Sequence, residues 1–336
     1  MIDERISLAC GSGGRAMHAL LEKVIFPRLN NPLFQGEEDA ALLPLEGATL
    51  AFSTDSYVVS PLFFPGGDIG RLAINGTVND LAMRGAIPRY LSLGLILEEG
   101  FPLADLERIL DSMGQAALEA HVQVVTGDTK VVARGQADGL FVNTSGVGLV
   151  PPGIAISAAN AQVGDSLILN GGLGEHGIAV LSQREGLGFE AEVVSDTAPL
   201  NGLVAELLSA GEGIRALRDP TRGGLAASLN EIARSSRVGM IVEEEALLIQ
   251  PAVAAACELL GLDPLYLANE GKMIACVHPA EAGKILSRMR GHRYGQESRI
   301  IGRVTADHPG RVVLNTAIGG SRIVDIPAGE LLPRIC

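Results

Sequence analysis

Five aspartates stand where a short apolar run gives way to glycine or a polar turn. They are Asp39 (Gln35-Gly36-Glu37-Glu38-Asp39), Asp55 (Ser53-Thr54-Asp55-Ser56), Asp80 (Val78-Asn79-Asp80), Asp128 (Gly127-Asp128-Thr129-Lys130) and Asp219 (Asp219-Pro220-Thr221-Arg222-Gly223-Gly224). One Asp beside Gly is a turn former. Five, delivered by strand ends to one edge, read as carboxylates gathered for a hard cation such as Mg²⁺, which takes oxygen ligands and shares them with substrate phosphates. In Gly127-Asp128-Thr129-Lys130 a turn would face its backbone N–H groups to a phosphate, Asp128 would hold the metal, and Lys130 would neutralise charge or act as a base. Asp219-Pro220-Thr221-Arg222 opens a helix whose N-terminus suits an anion.

A second chemistry sits at the end of the chain. Pro333-Arg334-Ile335-Cys336 terminates on a thiol, and the preceding stretch carries two prolines and a glycine, which argue against a helix or central strand. Ten extended residues reach roughly 33 Å, so the sulfur can travel to a distant cleft. The alternative is a chance cysteine on a frayed end. Asn269-Glu270-Gly271-Lys272 forms another polar cluster, where Glu270 is either a turn residue or a general base. Of 26 basic residues only Lys23, Lys130, Lys272 and Lys284 are lysines, so Lys130 and Lys272 stand out by falling inside polar Gly-rich motifs.

These residues need a scaffold, and 336 residues suffice for two domains with proper cores. Hydrophobic content of 47%, mean hydropathy of +0.28 and 42 glycines describe a loop-punctuated globular chain. The net charge of −13 disfavours nucleic-acid and anionic-membrane partners. No apolar run approaches the ~20 residues that span a bilayer. Met1–Arg5 has no signal-peptide character, and Cys10, Cys257, Cys276 and Cys336 form no CxxC pair, so reduced thiols in a cytoplasm are expected. Cys257 and Cys276 read as small core residues.

Periodicity predicts strands at 50–55, 90–97, 122–126, 140–150, 166–170, 273–278, 300–304 and 311–315. Helices are predicted at 69–84, 102–120, from 177, at 223–235, 252–260 and 280–290. Without a regular βαβ beat, the fold class is mixed α/β or α+β. The domains are placed at 1–155 and 156–325, with a mobile tail at 326–336. Gly172-Leu173-Gly174-Glu175-His176-Gly177 matches a dinucleotide fingerprint, with Glu190, Glu192 or Asp196 downstream, but stands outside any βαβ succession; His176 reads as structural. There is no P-loop.

Taken in order, Cys10-Gly11-Ser12-Gly13-Gly14, Ser53-Thr54-Asp55-Ser56-Tyr57-Val58-Val59, Phe63-Phe64-Pro65-Gly66-Gly67, Asn79-Asp80, Gly127–Lys130, Asp219–Gly224, Asn269–Lys272 and the terminal Pro333–Cys336 resemble the HypE family of hydrogenase maturation proteins. The resemblance covers essentially the whole chain. One departure is Cys10, where most such sequences carry His. The wider superfamily includes aminoimidazole ribonucleotide synthetase, selenophosphate synthetase and thiamine-monophosphate kinase. The resemblance implies a two-domain PurM-like α+β architecture, with an N-terminal domain that closes a barrel across a homodimer. It also implies ATP and Mg²⁺ between the domains, with metal ligands among Asp39, Asp55, Asp80, Asp128 and Asp219, and nucleotide contacts from Asn79, Gly127, Asp128, Thr129, Lys130, Thr221 and Arg222.

The implied reaction starts when a partner carbamoyltransferase, HypF, places a carbamoyl group on Cys336. ATP-dependent dehydration then leaves a thiocyanate, the source of the cyanide ligand on [NiFe]-hydrogenase iron, for the HypC–HypD iron-carrying complex. Lys130 and Glu270 are the candidate bases. A free thiol titrates near about 8.5, so activation of Cys336 is expected from the donor enzyme's site. Two other readings are an ATP-dependent phosphoryl transfer to a small molecule, as in the kinase or selenophosphate synthetase, and a non-enzymatic scaffold whose tail thiol binds metal.

Overall fold

The computed structural model describes residues 7, 10, 14–29, 33, 38–187, 193–211, 213–327, 332 and 334–336. Gly11–Gly13 of the N-terminal glycine loop, Gln35–Glu37, Glu190, Glu192 and part of the tail lie outside them. Helices α1 (Arg15–Leu20) and α2 (Phe26–Leu29) flank a π-turn at Leu21–Ile25. A five-stranded sheet follows, built from β1 (Ala41–Leu45), β2 (Ala48–Tyr57), β5 (Ile87–Glu98), β6 (Gln123–Val132) and β7 (Leu140–Val150) in the order β1-β2-β7-β5-β6. Only β5 and β6 run parallel. A two-stranded ribbon, β3 (Phe63–Phe64) and β4 (Gly67–Asp68), leads into α3 (Ile69–Met83); α4 (Leu103–Glu119) packs beside it.

Strand β2 alternates in burial, with Ala51, Ser53 and Tyr57 turned inward and Phe52, Thr54 and Ser56 outward. That period of two puts Asp55 on the inward face, toward α3. Helix α3 is buried on nearly every side, and it carries the polar Asn75, Thr77 and Asn79 inward along with its apolar residues. Its first turn is capped by Asp68, whose carboxylate accepts from Gly70 N (2.7 Å) and Arg71 N (3.1 Å). Its C-terminal end, Ala82 and Met83, packs against Ile156, Leu200 and Leu203 of the second half.

The second sheet has seven strands: β8 (Ser166–Leu169), β9 (Ile214–Arg218), β10 (Gly239–Glu243), β11 (Ile274–Val277), β12 (Arg299–Thr305), β13 (Val312–Asn315) and β14 (Ser321–Val324), in the order β14-β13-β10-β12-β8-β11-β9. Helices are α5 (Glu175–Glu185), α6 (Asn201–Ser209), α7 (Gly224–Ser236), α8 (Pro251–Leu260) and α9 (Ala282–Gly291). Leu167, Leu169, Ile274 and Cys276 face α7; Ile168, Ala275 and Val277 face α6 and α9. Burial on both faces explains why these strands read as uninterrupted apolar runs. The fold is thus the mixed α/β class the sequence predicts. Cys257 and Cys276 are buried in these cores.

Several elements differ from their predictions. Gly127–Lys130 is not a turn but the middle of β6, paired in parallel with Leu93–Ile96. The polar residues are tolerated because β6 is the sheet edge and is exposed along almost its whole length. Strands β9, β10 and β14 and helix α6 were not among the predicted elements. Among the described residues no helix is long and apolar enough to cross a membrane.

Candidate active site

Three of the five aspartates converge. Asp39, Asp80 and Asp219 each present a carboxylate oxygen within 4.8 Å of the others. Ser53 Oγ donates to Asp80 Oδ2 at 2.6 Å, so the inward face of β2 fixes that carboxylate. Arg218, at the end of β9, holds Asp39 Oδ1 at 2.8 Å and is itself flanked by Glu231. Asp39 Oδ2 is buried without a hydrogen-bond partner among the described residues. Burial, then the charges of Asp55, Asp219 and Asp39, push the Asp80 carboxyl well above its usual range. Burial raises Asp39 despite Arg218. It raises Asp219 to about 6, with Arg218 opposing and Asp55 adding to the shift. Crowded, desolvated carboxylates with an unsatisfied oxygen are what a hard divalent cation relieves, so this donor set fits Mg²⁺. Asp55 adds its charge from β2 and accepts from Tyr57 OH at 3.3 Å, but contributes no oxygen to the three-carboxylate cluster.

Asn269–Lys272 explains itself residue by residue. Asn269 is consumed structurally: Oδ1 accepts from Gly174 N (2.7 Å), and Nδ2 donates to Pro220 O (3.0 Å) and Leu267 O (2.9 Å). Glu270 N and Gly271 N both donate to the Asp196 carboxylate at 3.1 Å. At Gly271 a Cβ would lie 1.8 Å from Asp196 O, so only glycine lets the two segments touch. Lys272 Nζ pairs with Glu175 (2.9 Å) and Asp196 (3.1 Å), locking the turn. Glu270 is left buried with Oε1 unpartnered among the described residues. Burial, then Asp219, Asp196 and Asp55, push its carboxyl well up, against Arg222.

The end of the tail enters this site between the two halves. Val58 N donates to Cys336 O (3.0 Å) and Ser60 N to Arg334 O (3.2 Å), continuing the line of β2. Arg334 Nε returns a bond to Val58 O at 2.8 Å, and its guanidinium also meets Asp138. From α5, Arg184 donates to Ser60 O and Arg334 O, both at 2.7 Å. Ile335 is buried in the core that also holds Tyr57, Val59 and Phe64, and Cys336 packs against the same cluster. Burial pushes the Cys336 thiol up to about 12; Arg222 opposes the shift, while Glu270 and Asp55 add to it. Conversely, the negative charge available at Cys336 is the leading reason that Arg222 holds its proton more tightly.

The structure therefore places Cys336 within electrostatic reach of Glu270, Arg222 and Asp55, and Glu270 and Asp80 in turn feel Asp219 and Asp55. It does not bring Gly127, Asp128, Thr129 or Lys130 to them within one chain. Lys130 Nζ instead reaches Asp128 at 2.6 Å on the open edge of β6, which holds the Asp128 carboxyl below its usual range. Asn79 serves as a tether between the halves, with Nδ2 donating to Ala198 O (3.1 Å) and Glu270 O (3.3 Å) and Oδ1 accepting from Leu200 N (2.8 Å). Thr221 accepts from Gly224 N in the turn before α7. In place of a dinucleotide loop, Gly172–Gly177 starts α5, with Gly174 in the left-handed region at φ 85°. Sequence reasoning missed Ser53, Arg218 and Arg184, whose roles depend on partners distant along the chain.

Residues 37–150 match the family described as the N-terminal domain of AIR synthase related proteins, and residues 162–315 match its C-terminal domain. Fold and site together thus define an AIR-synthase-related protein. The chain is 53% identical over 333 residues to carbamoyl dehydratase HypE of Rhizobium leguminosarum bv. viciae, covering 99% of this chain and 95% of that one. A solved HypE–HypF complex is similar at a TM-score of 0.88 and 49% identity, covering 92% of this chain and 100% of its counterpart. A HypE structure in complex with ATP gives 0.83 and 49%, covering 99% and 100%. The chain belongs to the HypE family of carbamoyl dehydratases.

Proposed function

We infer that this protein dehydrates a carbamoyl group carried on its own Cys336, using ATP, and so makes the thiocyanate that supplies cyanide to [NiFe]-hydrogenase iron. One observation carries the reading: the docked tail brings the terminal thiol within electrostatic reach of Glu270, Arg222 and Asp55, in a molecule whose Asp39, Asp80 and Asp219 form a cluster fit for a divalent cation. The net change is R–S–CO–NH₂ + ATP → R–S–C≡N + ADP + phosphate. The amide oxygen leaves with the phosphate, and both N–H protons must be removed. Mg²⁺–ATP would supply the phosphorylation that turns a poor leaving group into a good one. Asp39, Asp80 and Asp219 would hold the ion, with Asp55 adjacent.

Glu270 is the residue placed to take an amide proton from a group on Cys336, since its unsatisfied oxygen lies in the same buried site. The pocket also favours the right bond cleavage. An S-carbamoyl group can lose its oxygen or expel its thiolate. Desolvation that holds the thiol near pKa 12 makes the thiolate a poor leaving group. The same shift makes the seated thiol a poor nucleophile, so carbamoylation belongs in the site of a partner, HypF. Delivery of cyanide would follow at a HypC–HypD complex, with the whole cycle in the cytoplasm.

A homodimer would bring Lys130 into the same scheme. The outward face of the N-terminal sheet leaves Phe52, Tyr90, Ile96 and Leu149 substantially exposed, and β6 offers a ten-residue edge with Val124, Val125 and Val131 open. Such an edge and face call for a partner strand and sheet. Two copies paired there would close the barrel across a two-fold axis and carry Asp128 and Lys130 toward the site of the other copy.

The test is Cys336→Ser. With HypF and a carbamoyl donor present, wild type should consume ATP in step with tail modification, and the serine variant should lose that consumption while still binding ATP. ATP turnover indifferent to the substitution would favour phosphoryl transfer to a small molecule instead.

A further inference from the structure

His176 lies in the first turn of α5 and is fully buried. Its ring nitrogens both have partners: Nε2 meets Ile335 O at 2.8 Å and Nδ1 meets Ser195 Oγ at 2.8 Å. A carbonyl only accepts, so Nε2 carries the proton, and Nδ1 of the neutral ring accepts from the Ser195 hydroxyl. Ser195 is placed for this by its own backbone, with Ser195 N donating to Pro65 O at 2.8 Å, while its Oγ accepts from Thr197 N at 3.2 Å. Phe64 stands edge-on to the imidazole, with ring centroids 5.3 Å apart and planes at 89°, so the ring cannot turn away. Burial holds its pKa below the usual value, which keeps the ring neutral.

The bonds around it fall into a pattern. The last three carbonyls of the chain are each taken by the body: Arg334 O by Ser60 N and Arg184, Ile335 O by His176, and Cys336 O by Val58 N. The outer two are held by bonds a strand edge or a half-buried arginine could make to many peptides. The middle one faces a buried, orientation-locked imidazole one residue before the thiol. We propose that His176 is a positioning residue of the dehydration site, in which the Ser195-fixed Nε2–H grips the Ile335 carbonyl and thereby sets Cys336 against Glu270 and Arg222. This rests on Cys336 as the substrate carrier. A buried carbonyl that loses its donor must be desolvated unpaired, so removing the grip shifts the tail toward its undocked state.

The experiment uses the full chain and reads alkylation of Cys336 by iodoacetamide, located on the C-terminal peptide by mass spectrometry. Gln at position 176 can place its amide N–H where Nε2 stands, whereas Asn reaches only the Nδ1 position. His176→Asn should therefore raise the alkylation rate by roughly tenfold, and His176→Gln should stay within about twofold of wild type. The opposite order, Asn tolerated and Gln not, would mean that His176 serves only the Ser195 contact and would overturn the proposal; so would equal rates in all three proteins. Should His176→Asn fail to fold, Ser195→Ala keeps the ring but frees its tautomer, and is expected to raise the rate about threefold, a smaller share of one hydrogen bond. An unchanged rate there overturns the proposal too. Thiol access is read without ATP or a carbamoyl donor, so a failed grip and a failed dehydratase assignment are told apart.

Discussion

Burial is the first cause that raises the proton affinity of Glu270, and Asp219, Asp196 and Asp55 add to it against Arg222 alone. Once ionised, such a carboxylate takes back a proton readily, as amide deprotonation demands. Glu270→Gln keeps the shape and removes the base. Carbamoylated Cys336 should then accumulate, with dehydration slower by about 10²- to 10⁴-fold and ATP binding intact; an undiminished rate would remove Glu270 from the role. The carboxylate cluster makes a second prediction. Asp39, Asp80 and Asp219 have raised values, so without a cation their contribution to stability is whole below the ordinary aspartate value of 3.8 and is lost as pH climbs, through about 6 for Asp219. Bound Mg²⁺ needs the ionised forms, so its stabilising shift in melting temperature should be larger at about pH 7.5 than at about pH 5. An equal shift at both would place the ion elsewhere. Asp219 was legible in the sequence because it directly follows β9, whereas Asp39 precedes β1 and Asp80 lies inside α3, so the strand-end pattern that picked out all three delivers only one of them. His176 reads as structural, since a lone imidazole in the glycine-rich Gly172–Gly177 stretch names no partner and the carbonyl it meets is 159 residues away.

Secondary elements deliver these groups through a few close approaches. Asn269–Lys272 works because Gly271 lets the Asp196 backbone cross it, and Asp196 in turn accepts from two of its amides and pairs with Lys272. Gly271→Ala would force that crossing apart and should destabilise the protein by about 3 kcal/mol, at the upper end of overpacking costs, with Glu270 displaced as well. Denaturant unfolding with an unchanged midpoint would contradict the geometry. The helices α3, α4, α7 and α8 and most core strands were readable from period and from Pro and Gly stops, because packing and local propensity agree there. Gly127–Lys130 was misread as a turn. Its glycine and aspartate carry turn chemistry, but parallel pairing to β5 overrides it, and an edge strand open to solvent exacts little for polar residues.

On the scale of the whole molecule, the N-terminal sheet leaves Phe52, Tyr90, Ile96 and Leu149 on one face and the β6 edge exposed. Val125→Lys on that edge should convert a dimer to monomers in sedimentation, and because it leaves Cys336 and Glu270 in place it should also show whether Lys130 acts across the two-fold. A wild-type protein that sediments as a monomer would contradict the pairing. Neither feature could be read from a single sequence, where an exposed valine in a strand looks like any other. The same holds for the tail: Pro333–Cys336 announces a thiol that can travel, but not the cleft between α5 and the end of β2 in which it is held. Everything in this account turns on what happens to that sulfur. Intact-protein and peptide mass spectrometry after incubation with HypF, a carbamoyl donor, ATP and Mg²⁺ tests it most directly. The expected result is one carbamoyl group on Cys336, followed by ATP-dependent loss of one water from that same residue. A carbamoyl group that settles on Cys10, or one on Cys336 that never loses water with ATP present, would contradict it.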